Sequence, residues 1–353
     1  MAKLSRRDFL KLVPSISASL AFSGTYPSLV SPSLQVSSKP NIILLVLDAL
    51  SARNLSLYGY GRETTPHLSG LAERATVYHS HYAAGNYTTP GTASILTGMY
   101  PWSHRAINIR GRIMAPLLGK DLFALVGPEY VRAAFTQNML ADIFLRQLHR
   151  NIEMHYPLTT FRLNNQPSLV SEKFQSDPLI PYYAFDNPIV SYTVLSSLLL
   201  NYWNVMTWKD LKQYSTPSDD HPYGTPFNTY NYFHNDVVFE GVRQVVLELA
   251  RQEKPFLSYF HLYSPHEPYM PRKEFVDIFP EIHVPRKQEH PLARGLDKFT
   301  ALLEYRKHYD EFIANVDAEI GLLVDVLERA GILQNTYLFI LTDHGELFER
   351  GEQ

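Results

Sequence analysis

Asn41-Ile-Ile-Leu-Leu-Val-Leu-Asp48 is an unbroken apolar run that ends in a carboxylate. A strand wetted on one face alternates apolar and polar residues. A run without alternation suits a strand covered on both faces, as in a mainly parallel sheet. A second run, Tyr337-Leu-Phe-Ile-Leu-Thr-Asp343-His344-Gly345-Glu346, ends in a carboxylate and an imidazole. Between the two lies Asn86-Tyr-Thr-Thr-Pro-Gly-Thr-Ala-Ser-Ile-Leu-Thr-Gly98, with Thr88 two residues before Pro90 at the head of a run of small residues. Two strands that deliver oxygen and nitrogen ligands, and a hydroxyl between them, are the parts of a metal-assisted ester-cleaving site.

The intervening segments supply helices for such a sheet. Thr64-Thr65-Pro66 reads as a helix start, with a Thr cap and Pro in the first turn, leading into His67–Ala75. Thr92–Thr97 should open a helix just after a loop that carries Thr88. Leu117–Val126 is expected as a helix and Val131–Phe135 as a strand. Asn235–Arg251 reads as a helix and Phe256–Tyr263 as a strand. Lys298–Ala330 reads as a long helix with Phe312, Ile313, Val316, Ile320, Leu323, Val324 and Leu327 on one face, ended by Gly331. Strand–helix–strand repeats of this kind predict an α/β fold, a doubly wound, mostly parallel sheet flanked by helices, with ligands at the strand C-termini. The segment from about 140 to 232, rich in Pro, Asn and Tyr and lacking long periodic runs apart from Val190–Trp203, is expected to be an insertion that caps or flanks the sheet.

Composition narrows the function. The 353 residues allow one large α/β domain or a core with an insertion. A formal charge of −3 argues against a non-specific nucleic-acid binder, and zero cysteines exclude disulfides, zinc–thiolate sites and cysteine nucleophiles. At the amino terminus, Ser5-Arg6-Arg7-Asp8-Phe9-Leu10-Lys11 matches the twin-arginine export pattern. The apolar stretch Leu12–Phe22 behind it is too short, and too interrupted by Ser and Pro14, for a membrane span. Residues 1–38 are therefore read as signal peptide and linker. The expectation is export through the twin-arginine machinery to a periplasmic or extracytoplasmic location, with 39–353 as the folded catalytic unit.

The order Pro40–Asp48, Leu57-Tyr-Gly-Tyr60, Thr64-Thr-Pro-His67-Leu68, Leu71-Ala72, Thr88-x-Pro90-x-x-Ala-Ser94-x-Leu-Thr-Gly98, Tyr100-Pro101 and Thr342-Asp-His-Gly-Glu346 resembles the sulfatase family of the alkaline phosphatase superfamily. The resemblance covers about residues 40–138 and 235–353. It implies one divalent ion, Mn²⁺, Mg²⁺, Ca²⁺ or Zn²⁺, bound by Asp48, Thr88, Asp343 and His344. It also implies that His266, in His261-Leu-Tyr-Ser-Pro265-His266, contacts the substrate or protonates the leaving oxygen, a role suited to an imidazole. Family members usually carry a Cys or Ser in Cys/Ser-x-Pro-x-Arg, converted to formylglycine. Here Thr88 holds that place, threonine cannot be converted in that way, and the following Ser-Arg pair is Gly91-Thr92. The chemistry is thus expected to resemble the threonine-nucleophile branch: phosphodiesterases, phosphonate monoester hydrolases and phosphoglycerol transferases.

A threonine hydroxyl is a poor nucleophile at neutral pH unless a metal or base lowers its pKa, which the implied cation could do. The substrate is expected to be an anionic ester, such as a lipid head group or a glycan, with phosphoester favoured over sulfate ester. Two alternatives stand beside this: a sulfatase that uses unmodified threonine, and a non-catalytic sulfatase-like binding protein or inactive fragment. Family members usually continue well past the Asp-His pair, so the expectation is either a fragment, with the C-terminal part of the domain truncated, or an unusually short gene product. Other residues carry weaker expectations. His261 reads as a packed histidine beside the ligands, His104 as structural and Asp317 as a helix anchor. Glu346 reads as an outer partner of the metal, Arg53 and Asn54 as site neighbours or surface groups, and Asp219-Asp220-His221 as a solvated turn.

Overall fold

The computed structural model describes residues 39–109, 111–163, 216–228, 231–279, 298–346 and 348. The export segment, Val190–Trp203 and most of the central insertion fall outside them. Five strands form one all-parallel sheet in the order β3-β2-β6-β1-β7, where β1 is Asn41–Leu47, β2 Val131–Thr136, β3 Met154–Tyr156, β6 Phe256–Leu262 and β7 Thr336–Thr342. A separate antiparallel pair joins β4 (Phe227–Asn228) to β5 (Asn231–Tyr232). Between the strands run α1 (Pro66–Ala72), α2 (Thr88–Thr97), α3 (Pro101–His104), α4 (Leu122–Val126), α5 (Met139–Gln147), α6 (Asn235–Leu249) and α7 (Lys298–Arg329).

Helices cover both faces of the sheet at β1, which is why that strand needs no polar face, whereas the edge strand β7 leaves Tyr337 and Phe339 exposed. Successive side chains point to opposite sides of a strand. Ile43, Leu45 and Leu47 pack in one core with Val242 and Val246 of α6 and Phe312, Val316 and Leu323 of α7. Val46 lies in the other core with Ala93 and Leu96 of α2 and Phe144 and Leu145 of α5. Each fully buried aliphatic or Phe side chain contributes about 1.5–3 kcal/mol, so a polar residue within β1 would be costly on either side.

Register fixes the height of the site. Leu47 lies opposite both Leu262 and Thr342, and Thr136 lies opposite His261. Asp48 and Asp343 therefore leave adjacent strands at the same level, at the C-terminal edge of the sheet.

Several local expectations are revised. α2 begins at Thr88, not Thr92, so the hydroxyl sits in the first helical turn instead of in a preceding loop. Pro90 permits this because first-turn N–H groups have no helical acceptor to lose. The Leu117–Val126 helix shrinks to a 3₁₀ turn at Ala115–Leu117 and to α4, since Gly119 takes φ 99° and Asp121 restarts the helix by capping the N–H groups of Phe123 and Ala124. Thr65 precedes α1 without capping it by its side chain. The carboxylate of Asp317 on α7 instead accepts from the His67 and Leu68 N–H groups at 2.8 and 2.9 Å. Finally, the first part of the expected insertion belongs to the core. α5 buries Ala141, Ile143, Phe144 and Leu145, with Phe144 and Leu145 in the core beside Val46, and β3 extends the parallel sheet.

Candidate metal and nucleophile site

Asp48, Thr88, Asp343 and His344 converge although they lie up to 296 residues apart in the chain. Asp48 follows β1, Asp343 and His344 follow β7, and Thr88 enters from the start of α2. All four are buried. His344 Nε2 lies 3.1 Å from Asp48 Oδ1, 3.9 Å from Asp343 Oδ2 and 3.4 Å from Thr88 Oγ1. Its Nδ1 faces the Gly345 carbonyl at 2.8 Å. A carbonyl only accepts, so Nδ1 carries the hydrogen and Nε2 is turned to the site.

The backbone holds Asp343 in place. Its Oδ1 accepts from the N–H groups of His344 (3.0 Å) and Ala49 (3.4 Å), and its Oδ2 accepts from Thr92 Oγ1 at 3.4 Å. Gly91 makes this approach feasible, because a Cβ there would lie 2.1 Å from the Asp343 carbonyl oxygen. Gly91-Thr92, the departure from the family's usual pair, is thus built around Asp343. Tyr87, the N-cap of α2, gives no side-chain cap, which leaves the first-turn N–H groups and the positive helix end for an anion beside Thr88.

His261 lies where the sequence placed it, and Asn138 gains a place that sequence reading did not assign. His261, expected as a packed neighbour, is fully buried, with Nε2 at 3.6 Å from Asp48 Oδ2 and 3.7 Å from Asp343 Oδ2. Its Nδ1 meets the Tyr259 hydroxyl at 3.1 Å. Asn138 was missed altogether. Its side-chain amide donates to Asp48 Oδ2 and, at 3.3 Å, to Thr88 Oγ1. The available signal was its position two residues past a strand of the sheet, masked by its ordinary appearance as a helix cap.

His266 faces the same point. It is partly buried, its Nδ1 donates to the Glu267 carbonyl at 3.0 Å, and its ring stands edge-on to His344 at 6.0 Å. Two sets of ligand atoms lie within 4.8 Å of one another: Asp48, His266 and His344; and Asp48, His261 and Asp343. The buried atoms Asp48 Oδ1 and His261 Nε2 have no aligned hydrogen-bond partner. Donors that crowd together without satisfying one another fit a bound cation, and two carboxylates with imidazoles suit a divalent ion.

Electrostatics agree with that reading. Burial works to raise the Asp48 carboxyl, but the His261 and His344 imidazoles outweigh it and hold Asp48 well below the usual carboxylate range. Asp343 is pushed up by burial and by the Asp48 charge beside it. Burial works against a proton on His344, yet Asp48 and Asp343 raise its pKa to about 9. Without metal, that proton neutralises part of the buried charge.

A pH dependence follows. Because the folded pKa of His344 lies above the unfolded reference of about 6.5, its contribution is full below that value and is lost as pH rises through about 9. The magnitude is up to about 3 kcal/mol. Chelator-treated protein should therefore lose melting temperature between pH 7 and 9, while protein saturated with Mn²⁺ should not, because the ion requires neutral His344. Parallel melting profiles for the two forms would contradict this.

The remaining candidates lie elsewhere. His104 is buried between Ser94 Oγ (2.9 Å) and the Ala106 N–H (3.1 Å), a structural role as expected. Asn54 donates to Asp310, which also receives Tyr60 and Arg62. Arg53 is exposed. Glu346 lies against the Tyr269 hydroxyl. Asp219 and Asp220 are solvent-exposed, as expected, but His221 is buried and stacks on His234 at 4.0 Å.

This geometry can be set against known proteins. The Sulfatase family profile matches residues 40–353. The chain belongs to the sulfatase family. An ulvan-active sulfatase of Formosa agariphila is 24% identical over 88% of this sulfatase-family chain and 44% of its own length. An arylsulfatase of Clostridium perfringens is 22% identical over 88% of the chain and 63% of its own. Among solved structures, the phosphonate monoester hydrolase of Agrobacterium radiobacter superposes with a TM-score of 0.57 at 17% identity, covering 88% of this chain and 63% of that one. That likeness supports the alkaline-phosphatase-like fold. The chain spans less than two thirds of the length of these relatives. Among the described residues, no helix is long and apolar enough to cross a membrane.

Proposed function

We propose that this chain is the core of a divalent-metal-dependent hydrolase or transferase that cleaves phosphoesters through Thr88. The observation that carries the reading is the Thr88 hydroxyl, buried 3.4 Å from His344 Nε2 at the edge of the Asp48–Asp343 cluster. Asp48, Asp343 and His344 would hold the cation, with Thr88 and the second imidazole, His261, at its border. A bound divalent ion supplies Lewis acidity, lowering the Thr88 pKa and drawing charge from the ester's non-bridging oxygens.

Thr88 Oγ then bonds to phosphorus as the bond to the leaving oxygen breaks, and the Thr88 proton passes to solvent. The open end of α2 faces the anionic oxygens. His266, its ring oriented through Nδ1, gives the leaving oxygen a proton from Nε2. Water or an acceptor alcohol attacks phosphorus in turn and frees Thr88. Threonine has a single hydroxyl, so its ester is opened only by this second attack, which favours phosphorus over sulfur.

Rapid-quench reactions with an aryl phosphodiester, a phosphonate monoester and an aryl sulfate, followed by peptide mapping, test the reading. A phosphoryl adduct on Thr88 is the expected result, and turnover without any adduct on Thr88 would contradict it. The curated relatives are named as sulfatases, so a sulfuryl adduct in the third arm would favour the sulfatase reading instead.

The substrate is an anionic ester of a lipid head group or a glycan. The residues around Asn228 would help shape its choice, a view supported by Asn228 donating to the Gln137 carbonyl next to Asn138. Export is read from Ser5–Lys11, and residues 39–353 form the exported unit. Changing both Arg6 and Arg7 to Lys should retain the protein in the cytoplasm on cell fractionation, and unchanged export would refute the signal.

A further inference from the structure

We infer that Asn138 is the residue that positions the nucleophile: its side-chain amide clamps Thr88 Oγ1 and the Asp48 carboxylate in a fixed relation. This rests on the reading of Thr88 as nucleophile.

The orientation of the amide is not arbitrary. Asn138 Oδ1 accepts from the Leu140 N–H at 2.8 Å, as the N-cap of α5. A backbone N–H cannot accept, so the nitrogen end must face the other way. There Nδ2 has two hydrogens and two oxygen partners, Asp48 Oδ2 and Thr88 Oγ1. The backbone is pinned as well, since the Asn138 N–H donates to Thr136 Oγ1 at 3.0 Å at the end of β2. Asn138 is itself 5% exposed, so water does not compete for these bonds.

This has a consequence for Thr88. By accepting from Asn138, Thr88 Oγ1 commits one lone pair and must direct its own hydrogen elsewhere. His344 Nε2 lies 3.4 Å away, with Nδ1 of that ring already donating to Gly345. The hydroxyl is thereby held in one rotamer beside Asp48 and His344, with a lone pair left for the ester. A misplacement of about 1 Å in such a group can cost about 100-fold in rate. Without the amide, the Thr88 side chain is free to change rotamer.

The cap and the clamp are separable, because Ser and Asp cap helices about as well as Asn but offer no amide donor. In full-length, Mn²⁺-loaded protein, Asn138→Ser should keep the melting temperature within a few degrees. Its kcat on the aryl phosphodiester should fall at least about 30-fold, with KM within about threefold. Formation of the Thr88 adduct should slow by the same factor as kcat. A kcat within threefold of wild type overturns the inference, as does a lower melting temperature with unchanged adduct formation.

A crystal structure of Asn138→Ser gives a readout apart from turnover. Thr88 Oγ1 leaving hydrogen-bond reach of His344 Nε2 supports the clamp, and a Thr88 side chain that stays in place overturns it. Failure of the nucleophile reading looks different: Thr88→Ala would then remain active, whatever Asn138→Ser does.

Discussion

Thr88→Ala is expected to lower turnover of the preferred ester by at least about 10⁴-fold and to abolish the covalent adduct, while Mn²⁺ binding weakens by no more than about tenfold. The two effects separate because Thr88 would offer the cation only a neutral hydroxyl. Asp48 and Asp343 supply two carboxylates and His344 an imidazole, while Thr88 supplies one neutral hydroxyl, 3.4 Å from His344 Nε2. Removing it leaves the charge balance of the ligands intact, and a small cavity replaces the hydroxyl and methyl. The substitution lies in the first turn of α2, where Ala is a good helix former, so the fold should persist. Thr88→Ser keeps the hydroxyl and should retain measurable turnover. Rates for the three esters, adduct mapping and a metal titration on the same preparations decide the matter. An active Thr88→Ala protein would remove the mechanism, and one that loses metal entirely would move Thr88 into the ligand shell.

Gly91→Ala should be the most damaging single-methyl change in the described structure near the site. The added carbon would lie 2.1 Å from the Asp343 carbonyl oxygen and 2.9 Å from its carbon, both backbone atoms at the end of β7. A flexible side chain could swing aside, but here either α2 or the strand end must move. Overpacking against backbone costs about 3 kcal/mol or more. The displacement also separates Thr88 and Thr92, on α2, from Asp343. A stability loss of that size in urea unfolding, with at least about 100-fold lower turnover, is the expected outcome. Gly70→Ala is the control, since nothing lies within 4 Å of a Cβ on Gly70 and Ala is preferred to Gly within a helix. Equal behaviour of the two variants would show that the contact of α2 with Asp343 is looser than described.

The parts of the protein legible in sequence were those governed by local chemistry. β1 announces itself by an apolar run that no one-sided strand would carry, and α7 by its periodic apolar face; β7 carries a similar run, yet at the edge of the described sheet it leaves Tyr337 and Phe339 exposed. The ligand types at the strand ends, and threonine where the family usually has cysteine or serine, are also visible residue by residue. What stayed hidden depended on partners distant in the chain. Thr65 looks like the cap of α1 because Ser and Thr usually cap, yet the N–H groups of His67 and Leu68 are taken by Asp317, about 250 residues away. The start of α5 and β3 looked like insertion because three residues of a short edge strand carry no periodic signal.

The same division runs through the site. Sequence alone determined which residues could bind a cation and which hydroxyl could attack, because those are properties of side-chain chemistry in a recognisable order. Only the tertiary structure decided how they meet. Parallel register sets Asp48 and Asp343 at one height and brings His261 Nε2 to 3.6 and 3.7 Å from their carboxylates, and the lack of a side chain at Gly91 lets α2 approach the end of β7. Asn138 shows the reason most directly: its capping bond is local and readable, whereas its clamp on Thr88 and Asp48 exists only once three chain segments have been packed together.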